Sequence, residues 1–188
     1  MEAGPMLICV DTSGSMKGGP EVVAKAVVLE AMRTARAQER ACHVFAFGGP
    51  GEIVELELGV DATGIAQLAQ LLGQGFRGGT DICGPIERVL ARLVDERWQL
   101  ADLLIASDGE FGATRDTVAA LARAKVELGL RVQGVLLGDR ETLGMLELAD
   151  DIFWVRDWRR YGNSDADSPV HSKSLTTIYF PGAVRAER

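Results

Sequence analysis

Five side chains in this sequence have the types and spacing to hold a hard divalent cation. Asp11, Ser13 and Ser15 form an Asp-x-Ser-x-Ser run directly after the apolar stretch Met6 to Val10. Thr80 follows two glycines in Gly78-Gly79-Thr80-Asp81, and Asp108 closes a second apolar run in Ile105-Ala106-Ser107-Asp108-Gly109. Carboxylate and hydroxyl oxygens suit Mg²⁺, with Mn²⁺ or Ca²⁺ as substitutes, rather than a soft metal. The two carboxylates neutralise one divalent charge, and the three hydroxyls add neutral ligands. Each piece alone is weak: Gly-Gly-Thr-Asp serves equally as a turn and helix cap, and Asp-Gly is a common turn. The signal lies in all three, in this order, at strand ends.

Such a site needs two strands with neighbouring carboxyl ends and a loop folded across them. In an open parallel α/β sheet, ligands bind there, where the strand order reverses. Apolar runs alternate with helical patterns along the chain, the mark of βαβ units. Strands are predicted at Met6 to Val10, His43 to Phe47, Leu103 to Ala106, Val132 to Leu137 and Ile152 to Val155. Helices are predicted over Glu21 to Gln38, Thr63 to Leu72, Ile82 to Asp95, Asp116 to Leu128 and Leu143 to Leu148. Gly48-Gly49-Pro50-Gly51 is too short for a parallel crossover. Ile53 to Leu58, alternating apolar and acidic, should therefore return as an antiparallel edge strand. Helix 82–95 should bury Ile86, Val89, Leu90, Leu93 and Val94, with Thr80 or Asp81 as its cap. Helix 116–128 should bury Val118, Leu121, Ala122 and the stem of Lys125. The fold class is α/β: a doubly wound, mostly parallel central sheet with one antiparallel edge strand and helices on both faces. It spans residues 1–160. Residues 161–188 read as a polar, partly flexible tail, in which Leu175 to Phe180 could dock on the domain.

Together the three segments resemble the metal-ion-dependent adhesion site of von Willebrand factor A (VWA) domains. A narrower resemblance rests on Cys9-Val10-Asp11-Thr12-Ser13-Gly14-Ser15-Met16, on Phe76-Arg77-Gly78-Gly79-Thr80-Asp81, on the Trp98 segment, and on Trp154 with Asp157-Trp158-Arg159-Arg160. These are similar to VWA domains that work beside MoxR-type AAA+ ATPases, the ViaA type, over about Met6 to Arg160. The resemblance implies a Rossmann-like fold. It implies Mg²⁺ held by Ser13, Ser15 and Thr80 at the protein surface, with Asp11 and Asp108 fixing the hydroxyls and the metal waters. A partner's Asp or Glu would replace one water. It thus implies a protein-binding module rather than an enzyme, acting as adaptor or cofactor of a MoxR-type ATPase. The VWA subunit of a magnesium or cobalt chelatase complex carries the same kind of site and is the alternative. ViaA-type proteins have a helical region ahead of this domain, so this sequence is expected to be a piece of a longer protein.

Composition narrows the partners. The net charge is -7 and the pI about 4.9. Nucleic-acid binding leans on Lys and Arg, and basic-aromatic interleaving is missing, which counts against an RNA-binding VWA protein of the Ro type. Arg156, Arg159 and Arg160 are a local basic exception. Cys9, Cys42 and Cys83 have neither zinc-site spacing nor an even count, and fit a reducing compartment. No apolar run nears the roughly 18 residues of a membrane span, and no signal peptide is visible. The expected location is cytoplasmic, or an organelle matrix for a longer precursor. Ser13 stands where a haloacid-dehalogenase phosphotransferase needs its second Asp. A phosphate cradle at residues 12–15 would set Asp11 against an anion. There is no P-loop lysine motif. His43 reads as structural and Glu110 as a solvated loop residue.

Overall fold

Met6 to Val10 carries no polar side chain, and both faces of that strand are covered (β1, Met6–Asp11). The structure is a computed structural model that describes residues 4–58, 63–73, 75–76, 78–138 and 142–155. The proposed tail, 161–188, and the basic cluster at 156–160 lie outside the described residues. After β1 come α1 (Gly19–Ala37), β2 (Cys42–Phe47), β3 (Ile53–Leu58), α2 (Thr63–Leu72) and α3 (Cys83–Arg92). Then follow β4 (Asp102–Ser107), α4 (Arg115–Glu127), β5 (Arg131–Leu137), α5 (Leu143–Leu148) and β6 (Asp151–Val155). The six strands form one sheet in the order β3-β2-β1-β4-β5-β6. Every pair is parallel except β2–β3, the expected hairpin.

The alternation of side chains along each strand builds two cores. Met6, Ile8 and Val10 face α1 and α2, meeting Ala24, Val27, Val28, Ala31, Leu68 and Leu71. Leu7 and Cys9 face α3, α4 and α5, meeting Ile86, Val89, Leu121, Met145 and Leu148. All three cysteines are free, and burial pushes the Cys42 thiol up to about 12. Among the described residues no helix is long and apolar enough to cross a membrane.

Helix details depart from the sequence pattern in two places. α3 ends at Arg92, so Val94, expected inside, is 82% exposed, while Ile86, Val89 and Leu93 are buried. The chain has to leave the helix there to reach the 3-10 turn Glu96–Trp98, which sinks the Trp98 ring into the core. On α4 the buried positions are Thr117, Leu121 and Ala124, and Ala122 is exposed. Lys125 ends on solid partners, donating to the Leu148 carbonyl and to Asp150 Oδ1, both at 2.7 Å.

At the end of the sheet away from Asp11, Arg40 is buried and bonds the Gly4 carbonyl and the Asp102 carboxylate. Arg131 Nε reaches the other Asp102 oxygen at 3.0 Å. Asp102 is thus the shared counter-charge of an ion pair that ties β4 to the start of β1 and β2. Removing one member of such a pair strands the other. Asp102→Ala should cost about 3 kcal/mol, read as a lower urea midpoint with an unchanged slope.

Candidate metal centre

β1 and β4 are neighbours in parallel register, Val10 opposite Ala106, so Asp11 and Ser107 emerge at the same level. β1 is also the strand from which the chain winds outward in both directions, to β2 on one side and β4 on the other. The Asp11 carboxylate is fully buried between these ends. Its Oδ1 accepts the Ser13 N–H at 2.9 Å, and its Oδ2 accepts the Ser107 hydroxyl at 2.5 Å. Burial pushes the Asp11 carboxyl above the ordinary carboxylate range. Hydrogen bonds from Ser107 and Ser13 oppose this, and the nearby Asp108 charge adds to it.

The loop after Asp11 is held by β2: both the Thr12 N–H and its hydroxyl donate to the Phe47 carbonyl, at 2.8 and 3.1 Å. This turns Ser13 and Ser15 toward one another, with 3.2 Å between their Oγ atoms. Thr80 comes in from the segment before α3. Three main-chain bonds tie that segment down: Phe76 N–H to the Thr12 carbonyl, Gly14 N–H to the Gly78 carbonyl, and Asp81 N–H to the Gly48 carbonyl. The Thr80 hydroxyl then donates to Ser13 Oγ at 2.9 Å. Thr80 is thus spent on Ser13 rather than on the helix, and Asp81 caps the start of α3 through the Cys83 N–H, at 3.0 Å.

Asp108 stands at the end of β4 beside this cluster. Its Oδ1 accepts the Glu110 N–H at 3.0 Å, which closes the turn. Gly109 has φ +73°, and a Cβ there would lie 2.1 Å from Thr142 Oγ1 and 2.8 Å from Leu136 Cδ1. Only glycine fits, so the Asp-Gly pair is required by packing as well as by the turn. Glu110 is exposed, as expected.

The structure therefore joins Asp11, Ser13, Ser15 and Thr80 in one bonded chain and sets Asp108 next to it. An octahedral ion bound at about 2.1 Å sets neighbouring ligand oxygens about 3.0 Å apart. The two hydroxyl separations, 2.9 and 3.2 Å, are those of hydroxyl–hydroxyl hydrogen bonds and are also compatible with that edge length, so a small hard cation could replace the shared hydrogens without moving the oxygens. Among the described residues no three His, Cys, Asp or Glu side chains converge, at this centre or elsewhere, so the donor set here is mainly hydroxyl. Two findings go beyond the sequence reading. Asp11 and Ser13 are buried rather than at the surface; Ser15 is exposed and Thr80 half-buried. Ser107, not singled out from sequence, is the hydroxyl that reaches Asp11, and it also accepts the Gly109 N–H at 3.0 Å. A polar residue ending an otherwise apolar strand was its only signal. His43 is remote from this cluster, its ring packed on Phe45 and Trp98 and its Nε2 facing Glu55 at 3.2 Å.

An open, doubly wound α/β sheet with a hydroxyl and carboxylate cluster at its central carboxyl edge defines the class. The chain belongs to the von Willebrand factor type A domain family, whose model matches residues 6–110. Among solved structures it is similar to the SpRpn10 VWA domain (TM-score 0.65, 13% identity, 92% of this chain and 99% of that one). It is similar to a von Willebrand factor type A protein from Catenulispora acidiphila (TM-score 0.63, 17% identity, 84% of this chain). It spans only 40% of that protein's length. It is similar too to the conserved hypothetical protein BatB from Bacteroides thetaiotaomicron (TM-score 0.61, 16% identity, 81% of this chain and 90% of that one). At these identities the likeness is one of fold.

Ser107→Ala removes a hydroxyl that serves both Asp11 and the Gly109 turn. It should destabilise the domain by about 1–3 kcal/mol, measured by denaturant unfolding in EDTA.

Proposed function

We propose that this chain is a metal-ion-dependent protein-interaction domain that engages an acidic residue of a partner. VWA domains are generally protein-interaction modules, and the finer reading rests on one observation: three hydroxyls, from Ser13, Ser15 and Thr80, linked at 2.9 and 3.2 Å beside two carboxylates. Ser13, Ser15 and Thr80 would hold Mg²⁺, or Mn²⁺ or Ca²⁺ in its place, with Asp11 and Asp108 orienting the hydroxyls and the metal's waters. Bound there, the ion supplies a positive charge with an exchangeable position for a carboxylate. The protein supplies the rest. Asp11 is locked by Ser107 and the Ser13 N–H, so its charge is fixed in place before a partner arrives. The exposed side of the cluster, Ser15 with half-buried Thr80 and Asp108, is the side open to a partner.

We read the site as binding rather than catalysis, because its hydroxyls are engaged with one another and, through Ser107, with Asp11, whose carboxylate is buried with both oxygens already bonded. The sequence similarity around Cys9 to Met16 and Phe76 to Asp81 supports an adaptor or cofactor of a MoxR-type AAA+ ATPase, in the cytoplasm, as the context. Partners on nucleic acid are disfavoured by the net charge of -7.

The test has two readouts. At Mg²⁺ 100 times its Kd, binding should stabilise the domain by about 2.7 kcal/mol, a rise of about 5–10 °C in Tm for a domain this size. Thr80→Ala and the isosteric Asp11→Asn should lose that rise while remaining folded in EDTA. Asp11→Asn is preferred to Asp11→Ala because the buried Ser107 hydroxyl keeps a partner. Affinity capture from lysate should retain a AAA+ ATPase or its client in Mg²⁺ only, and not with Asp11→Asn. Equal retention in Mg²⁺, in EDTA and by the variant would overturn the metal-bridged reading.

A further inference from the structure

Glu52, in the turn between β2 and β3, is not one of the candidate ligands, yet it makes three bonds around two buried glycines. Its carbonyl accepts the Gly48 N–H at 2.9 Å, and its own N–H donates to the Gly49 carbonyl at 3.0 Å. Its side-chain Oε2 accepts the Gly49 N–H at 2.8 Å. Gly48 and Gly49 are buried, so these groups have to find partners within the protein.

The clasped peptide is the one that reaches the candidate centre. Gly48 C=O and Gly49 N–H belong to a single planar trans unit and point in opposite directions. Fixing the N–H on Glu52 therefore aims the carbonyl the other way, where it accepts the Asp81 N–H at 2.7 Å, one residue after Thr80. The same carboxylate stands beside Gly78: a Cβ there would lie 3.0 Å from Glu52 Oε2, and one on Gly48 would lie 2.8 Å from it. Gly78 in turn gives its carbonyl to the Gly14 N–H at 3.2 Å, in the loop of Ser13 and Ser15. Glu52 thus fills the gap between the turn 48–52 and the segment 78–81, beside both main-chain bonds that hold the Thr80 hydroxyl at Ser13 Oγ.

A half-buried carboxylate so placed can act by its charge or by its reach. The bonds favour reach, because Oε2 is committed to the peptide that carries the Asp81 contact. We propose that Glu52 is a positioning residue of the centre, which sets Thr80 against Ser13 by orienting the Gly48–Gly49 peptide. Its consequence for cation affinity rests on the metal-ion reading above; its effect on the hydroxyl cluster does not.

Two substitutions separate reach from charge. Glu52→Asp keeps the charge but is one methylene too short for the Gly49 N–H. Glu52→Gln loses the charge but keeps an acceptor at that distance. Amide hydrogen exchange is followed by NMR in EDTA. In Glu52→Asp the Gly49 and Asp81 N–H groups should exchange about tenfold faster, while the Thr12 N–H on the Phe47 carbonyl is unchanged. Glu52→Gln should match wild type. If neither variant differs from wild type, or if Glu52→Gln loses as much protection as Glu52→Asp, the proposal is overturned. Mg²⁺ titration of the same proteins reads the consequence: Glu52→Asp should bind about tenfold more weakly. Equal Mg²⁺ affinity in wild type and Glu52→Asp would overturn this proposal and leave the metal-ion reading standing. The expected exchange pattern without any Mg²⁺ binding by wild type would do the reverse, supporting the placement of Thr80 by Glu52 and overturning the metal-ion reading.

Discussion

Everything at the candidate centre depends on one buried charge. Asp11 is wholly removed from water at the end of β1, a placement that disfavours the ionised form and needs compensation. Two protein donors, from Ser13 and Ser107, provide part of it. The parallel pairing of β1 with β4 makes the second donor available, because it brings residue 107 level with residue 11. A cation beside the cluster would supply more compensation, so the burial that disfavours the lone carboxylate would favour the metal proposed above. The fold around it, with helices on both faces and β1 at the centre, keeps that edge dry on the inside and open at Ser15 and Asp108.

The strands and the hairpin between β2 and β3 were readable because the physics there is local. Alternation in Ile53 to Leu58 and a four-residue turn dictate a hairpin, and the structure has it. Continuous apolar runs mark the buried parallel strands. The candidate residues were readable for a similar reason: hydroxyls and carboxylates are conspicuous just after such runs. What sequence did not show is tertiary. Val94 continues the apolar stripe of α3 but falls beyond the helix end, where Trp98 takes the core position instead. Ala122 and Ala124 are indistinguishable by type, and only the packing against β4, β5 and α5 selects the second. Ser107 differs from any surface serine only in its register with Asp11 across a strand pair. The depth of Asp11 was missed for the same reason, since motif spacing carries no information about how far a strand end lies beneath its neighbours.

The two ends of the sheet use polar groups differently. Near Arg40 a single carboxylate, Asp102, holds two guanidinium groups, which ties the strands together. On the α3 side, Glu55, Glu57, Arg88 and Arg92 also pair, yet Trp98 Nε1, Arg92 Nε and His43 Nδ1 are buried with no partner among the described residues. Buried polar atoms left open in this way are uncommon in folded proteins.

The cluster is assembled from pieces far apart in the chain: Thr80 and Ser13 are 67 residues apart, and Ser107 and Asp11 are 96 apart. Neither contact exists until β1, β4 and the segment ahead of α3 have all docked, and such long-range contacts form late in folding. A nascent or partly unfolded chain would therefore present the hydroxyls singly and have no competent face to offer. Under the proposed metal-bridged function, occupancy of the centre would double as a checkpoint on assembly, admitting a partner only to chains whose sheet is complete.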